Sequence, residues 1–203
     1  MSADHKNGLA RERLRRRYRP ARVRVLFGGE ATPASGRFFY RADSGLYRAV
    51  RDIFVTVFPD TGPQSGNDEF LQRFQALGCY LVDLCESPVD RLLPSQRTKA
   101  CHHGEVGLAR ILKRLRPEMV VTVVRSIAGN VRRSQLLADW SCARLELPYP
   151  GRWQRHRMAF NRQLAPALRC RFFADLILHC VDALRRPLMQ KTSRLQFRRL
   201  IIH

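Results

Sequence analysis

The stretch VRVLFGGEATPASGRFFY, residues 23–40, decides the fold. Val23 to Phe27 is apolar apart from Arg24 and reads as a buried strand. Gly28 and Gly29 follow, and glycine lets a backbone turn sharply and another group approach closely. Glu30, Pro33, Gly36 and the aromatics Phe38, Phe39 and Tyr40 complete a small-residue loop. A strand that empties into such a loop, with a helix soon after, is where open α/β sheets bind ligands.

Downstream, the pattern alternates. Leu46, Tyr47, Val50, Ile53, Phe54 and Val57 recur at helical spacing, and Pro59 ends the run. Residues 59–67, PDTGPQSGN, form a turn-rich loop. Phe70, Leu71, Phe74 and Leu77 mark a short helix stopped by Gly78. Cys79 to Cys85, CYLVDLC, is a second buried strand, with the loop ESPVDRLLPSQR after it. Leu108, Ile111, Leu112 and Leu115 give a helix closed by Arg116 and Pro117. MVVTVV, residues 119–124, is the clearest β-branched strand. A helix over 127–139, a short strand over 144–148 and an apolar helix near 172–184 follow. This order implies an α/β fold, a three-layer α/β/α sandwich with a central four-stranded parallel sheet. Its ligand loops lie at the carboxyl ends of the strands.

The pattern divides the chain into a basic, part-helical N-terminal arm over 1–21, an α/β domain over 22–186 and a basic tail over 187–203. A chain of 203 residues with 45% hydrophobic and 27% charged residues can bury a proper core. Apolar runs stop well short of a bilayer span, and the start lacks an apolar secretory region, so a cytoplasmic monomer is expected. Lys and Arg number 37 against 17 Asp and Glu, a net charge of +20. Most of the cations are Arg, which grips phosphate in a planar, two-bond geometry. A polyanionic partner follows, with DNA the foremost candidate. The six cysteines form no CxxC pair and fit no common zinc or cluster spacing, so buried free thiols are expected and no metal or cofactor is called for.

Asp83 stands out as an acid in an otherwise apolar strand. A carboxylate there must be paired or must face a site, because burying it bare is costly. Near the end of the α/β region, Arg152, Trp153, Arg155, His156 and Arg157 make a basic and aromatic cluster, the composition of a loop that grips phosphates and wedges at a base step.

Four segments in order resemble the uracil-DNA glycosylase superfamily. GGEATPASGRFFY is similar to its first motif, CYLVDLCESP to its second strand, RPEMVVTVVRSIAG to its third strand and turn, and LPYPGRWQRHRMAF lies in the place of its last motif. The resemblance covers residues 22–168. It implies an enzyme or binder that extrudes a base from DNA, with Glu30 and Asp83 as the catalytic carboxylates. Gly29, Ala31, Phe38, Phe39 and Tyr149 would border the base. Arg125, Arg152, Trp153, Arg155, His156 and Arg157 would contact DNA.

The departures from that pattern are specific. Ala34 and Ser35 stand where a water-handling acid or Asn is usual, and Tyr149-Pro150-Gly151 stands where His-Pro-Ser is usual. Asp83 replaces a base-reading Asn. An ionised Asp offers acceptors only, which suits a base edge rich in N–H groups. The resemblance thus implies N-glycosidic hydrolysis in base excision repair, or a non-catalytic nucleobase or nucleic-acid binder on the same fold.

Overall fold

The computed structural model describes residues 3–59, 66–151 and 153–173, with side chains from residue 8 onward. Most of the helix expected near 172–184 and all of the tail over 187–203 lie outside the described residues, as do residues 60–65 of the turn-rich loop. Two compact units divide the chain, residues 1–165 and 166–203. The first carries the sheet, and in the second the described residues, 166–173, are helical.

In chain order the first unit contains α1 (Ala3–Arg17), β1 (Val25–Gly29), α2 (Gly45–Val57), α3 (Asn67–Ala76), β2 (Cys79–Asp83), α4 (Pro94–Leu115), β3 (Met119–Thr122), α5 (Ala128–Leu137) and β4 (Ala143–Glu146). Short 3-10 turns at Phe39–Arg41 and Arg125–Ile127 precede α2 and α5. The four strands form one sheet in the order β2-β1-β3-β4, with every pairing parallel.

The α/β expectation holds, and the alternation of side chains along β1 shows why helices cover both faces. Phe27 packs on Phe74 of α3, ring centroids 5.4 Å apart. A side chain at the next residue, Gly28, would instead approach Val131 of α5 at 4.0 Å. Successive strand residues point to opposite faces, so α3 and α5 lie on opposite sides of the sheet. On the α2–α3 side Phe39, Tyr47, Phe54, Phe70 and Phe74 interlock, with centroid separations of 5.3–5.7 Å within Phe39–Tyr47, Tyr47–Phe70, Phe54–Phe70 and Phe54–Phe74. Offset and edge-to-face pairs of this kind add to the stabilisation from burial alone.

Element ends follow local chemistry. Ser44 caps α2, its hydroxyl accepting the Tyr47 N–H at 3.1 Å. Gly78 sits at φ +75°, where a side chain would meet the Arg22 carbonyl at 3.0 Å, and its own carbonyl accepts the Arg24 and Val25 N–H groups. That junction ends α3 and sets the register of β1 against β2.

Two sequence expectations are corrected here. β1 runs two residues later than expected, so Gly28 and Gly29 are paired strand residues and not the turn. The turn is made at Gly36, with φ +79° and its N–H donated to the Pro33 carbonyl. Also, α4 begins at Pro94, within the stretch expected to be loop. The missed signal was Pro94 at the first helical position, with Gln96 Oε1 accepting the Leu93 N–H at 3.1 Å.

Candidate functional site

Neighbouring strands β1 and β3 send their connections in opposite directions, toward β2 and toward β4. At such a switch point the loops separate and leave a crevice beyond the carboxyl ends of the strands. A cleft of about 860 Å³ lies there. Its walls come from the loops after all four strands, from the first turns of α2 and α4, and from the helical stretch that opens at residue 154.

The β1 loop is held open by backbone and side-chain bonds. Leu84 N–H donates to the Gly29 carbonyl at 2.9 Å and Cys85 N–H to the Glu30 carbonyl at 2.8 Å, so β1 and β2 keep pairing past the sheet. Ala34 N–H donates to Asp90 Oδ1 at 3.0 Å, which ties this loop to the one after β2. Phe38 N–H donates to Asp43 Oδ1 at 2.6 Å, fixing the entry to the 3-10 turn. Within that turn, Tyr40 reaches the outer edge of β2. Its hydroxyl accepts the Leu81 N–H at 2.8 Å and donates to the Leu81 carbonyl at 3.1 Å. One phenol thus fills a place that a further strand would occupy. Burial pushes that phenol well above the usual tyrosine range.

Asp83 is the last residue of β2, and its side chain is 11% exposed. Its Oδ2 accepts Arg15 Nη2 at 2.8 Å and Thr32 Oγ1 at 3.3 Å. Oδ1 accepts no hydrogen bond among the described residues and lies over Gly29, where a Cβ would stand only 2.6 Å away. Burial raises the Asp83 carboxyl above its ordinary value, and Arg15 and Thr32 oppose that rise without cancelling it. Glu30 is engaged differently. Arg97 grips it with two nitrogens, Nε on Oε1 at 2.6 Å and Nη2 on Oε2, and Cys101 Sγ lies 3.7 Å from Oε1.

Of the expected site residues, Gly29, Glu30, Ala31, Phe38, Phe39, Asp83, Tyr149 and Arg157 line this one cleft. Phe38 and Phe39 do so differently from the expectation that their rings border a base. Both are buried, at 2% and 3% exposure. Phe39 packs on Tyr40, Tyr47 and Phe74, and Phe38 packs on Tyr40 and lies beneath the Arg15 guanidinium at 5.5 Å. The aromatic with surface to offer is Tyr149, 43% exposed. Its ring folds over Gly151, where a Cβ would approach Cδ1 and Cε1 at 2.8 Å.

Arg125, Trp153, Arg155 and His156 are not on the cleft wall. Arg125 is exposed at the start of its 3-10 turn. Trp153 is exposed beneath the Arg155 guanidinium, 5.9 Å from the ring centroid. The His156 N–H donates to the Trp153 carbonyl at 3.0 Å, opening the helical stretch from 154. Arg152 lies outside the described residues.

Sequence reading missed Arg15, Thr32, Arg37, Arg48 and Arg97. The last four line the cleft, and Arg37 and Arg48 are exposed at its mouth together with Arg157. None of these three exposed cations has a carboxylate partner among the described residues. Only Arg48 had a legible signal, being one turn beyond the cap of a strongly amphipathic helix that opens toward the strand ends. No group of three or more His, Cys, Asp or Glu side chains among the described residues is arranged to hold a metal ion. Among the described residues no helix is long and apolar enough to cross a membrane.

No family model matches the chain, and no curated protein matches its sequence.

Proposed function

We propose that this protein binds nucleic acid and takes a single base into the cleft at the carboxyl edge of its sheet. One observation carries the reading: the same cleft is lined by Asp83, whose Oδ1 accepts no hydrogen bond among the described residues, by the open aromatic ring of Tyr149, and by the exposed cations Arg37, Arg48 and Arg157. A nucleotide needs these three things together. Its phosphates are met by guanidinium groups, its base face by an aromatic ring, and its base edge by a group of fixed hydrogen-bonding sense. An acceptor-only carboxylate favours a base that presents N–H donors. A cytoplasmic monomer acting on DNA without a cofactor belongs to the same proposal, as does the likeness to the uracil-DNA glycosylase superfamily.

Hydrolysis is the second reading. It requires a carboxylate to orient water or to oppose positive charge developing on the sugar as the bond to the base breaks. Both Glu30 oxygens are occupied by Arg97, so Glu30 is a poor base. The observation that favours chemistry is again Asp83 Oδ1, which meets no competing donor among the described residues. Recognition without turnover is therefore the primary reading, and any turnover rests on Asp83.

A panel of oligonucleotides tests both, each carrying one deaminated, oxidised or alkylated base, scored for binding and for abasic sites with wild type, Glu30→Ala and Asp83→Asn. Tight, salt-sensitive binding without abasic sites is the expected result. Abasic sites that vanish in Asp83→Asn would establish the hydrolase instead. Failure to bind any member of the panel would overturn the nucleobase reading altogether.

A further inference from the structure

The basic segment before β1 holds a group that the cleft itself does not show. α1 carries Arg11, Arg13, Arg15, Arg16 and Arg17, and most of its described side chains are exposed or half-buried. Arg15 alone turns inward far enough to touch two cleft-wall residues, Asp83 and Phe38. It does not itself line the cleft. A group that touches the wall but is not part of it stands behind the wall.

The arrangement is specific. Arg15 Nη2 bonds Asp83 Oδ2 at 2.8 Å, Nη1 bonds Glu12 Oε2 at 2.8 Å, and the plane lies over Phe38. Its Nε is buried and has no hydrogen-bond partner among the described residues. A surface cation free to choose would not leave an N–H bare, because an unmet buried donor is costly. Next to Arg15, Tyr18 stacks on Tyr40 at 5.8 Å with the rings 9° from parallel, and its hydroxyl donates to Asp68. Gln75 Nε2 donates to the Arg19 carbonyl at 2.9 Å. These contacts hold the end of α1 in one place.

We infer that Arg15 is a positioning residue of the cleft: from behind the wall it binds Asp83 Oδ2 and so keeps Oδ1 turned toward the cleft as the acceptor for the N–H edge of a base. This rests on the nucleobase reading given above. With Thr32 as the second donor to Oδ2, one oxygen is used up by the protein and the other is left for a ligand. The charged and titratable groups facing Asp83 are Arg15 and Arg11 from α1, Tyr40 from the 3-10 turn and Cys85 from the loop after β2. Of these the two arginines favour the ionised carboxylate, as does the hydrogen bond from the Thr32 hydroxyl.

The sign of the pH dependence follows. A ligand that needs the carboxylate is lost as pH falls through the Asp83 midpoint. Burial has already raised that midpoint, and removing Arg15 raises it further.

The test uses full-length wild type, Arg15→Met, Arg15→Lys and Thr32→Val in two measurements. The first follows the Asp83 carboxyl by 13C NMR during a pH titration without ligand. The expected result is a midpoint moved to higher pH in Arg15→Met, moved less in Thr32→Val, and restored toward wild type in Arg15→Lys. An unmoved midpoint in folded Arg15→Met overturns the inference, whatever the protein binds.

The second measures binding of fluorescent single-stranded 11-mers of dT, with or without one central dA, dC or dG. Wild type is expected to prefer an amino-bearing base about tenfold, with the preference fading at low pH. Arg15→Met should lose the preference and keep its affinity for all-dT, and Arg15→Lys should retain part of it. A lower melting temperature with the preference intact would show that Arg15 only anchors α1, and would overturn the inference. Wild type that binds all four probes equally would remove the base-edge reading and the acceptor role with it, while the titration still reports whether Arg15 governs Asp83.

Discussion

At Gly29 the absence of a side chain is a structural requirement, because an added Cβ would stand 2.6 Å from Asp83 Oδ1. Gly29→Ala is expected to push the carboxylate off its place, at a cost of about 1–3 kcal/mol, the usual range for overpacking. Equilibrium denaturation measures that cost, and the oligonucleotide panel should show a matching loss of affinity. Gly151→Ala acts the same way on the Tyr149 ring. The thiols behave oppositely to a reactive site. Cys79, Cys85 and Cys101 are buried, and burial pushes the Cys85 thiol up to about 12. A thiol held that high is almost entirely protonated at neutral pH and nucleophilically quiet. Exposed Cys170 is therefore expected to take up iodoacetamide in the folded protein, with Cys79, Cys85 and Cys101 labelled only on unfolding, as read by mass spectrometry of peptides. Buried thiols were the expectation from cysteine spacing, and Cys79, Cys85 and Cys101 meet it, whereas Cys142 is half-buried and Cys170 exposed. Spacing could not show that Cys85 and Cys101 lie 3.8 Å apart, because they come from different elements.

Two contacts hold the longest helix of the first unit. At Gly104, α4 passes so close to the end of β2 that any side chain would overlap the Leu84 carbonyl oxygen. Gly104→Ala raises intrinsic helix propensity yet is expected to destabilise the protein, because the displaced atom is backbone and has no rotamer to escape into. A fall in melting temperature checks this, and a rise would show that α4 moves freely. Further along, Glu105 joins α4 to α5. Its Oε1 accepts from Asn130 Nδ2 at 2.6 Å and from Arg133 Nη2 at 2.7 Å. Burial raises this carboxyl, but the donors from Arg133 and Asn130 outweigh it and hold the group below its ordinary value. A depressed carboxyl stabilises the fold above its unfolded-state pKa and loses that contribution as pH falls through the folded value. The stability difference between wild type and Glu105→Gln should thus shrink toward acid pH, measured as melting temperature against pH. α5 was expected from its pattern, but the Glu105 junction was invisible because a polar helix position reads as solvated until another helix covers it.

At the scale of the whole molecule, the +20 charge is the strongest functional signal. On the proposed reading, in which Arg37, Arg48 and Arg157 each meet a phosphate, the slope of log affinity against log salt for single-stranded DNA should be about −2, and it should approach zero in the triple Gln variant. A slope that survives in that variant would move the phosphate contacts elsewhere, to the outward arginines of α1 or to the Arg155 region. The sequence by itself determined the parallel α/β architecture, the order of its strands along the chain, and the loops that meet at one edge. Periodicity, β-branched runs, glycine and proline are local signals, and a parallel sheet has few ways to connect them. Only the tertiary structure decided which charges are free. Glu30 and Asp83 were both expected to be catalytic carboxylates, yet one is closed by Arg97 from 67 residues away and the other is half open because Arg15, 68 residues away, takes a single oxygen. Nothing local to either carboxylate encodes that difference. It arises when folding brings α1 and α4 against the strand ends, where desolvation makes every remaining charge find a partner or face the cleft.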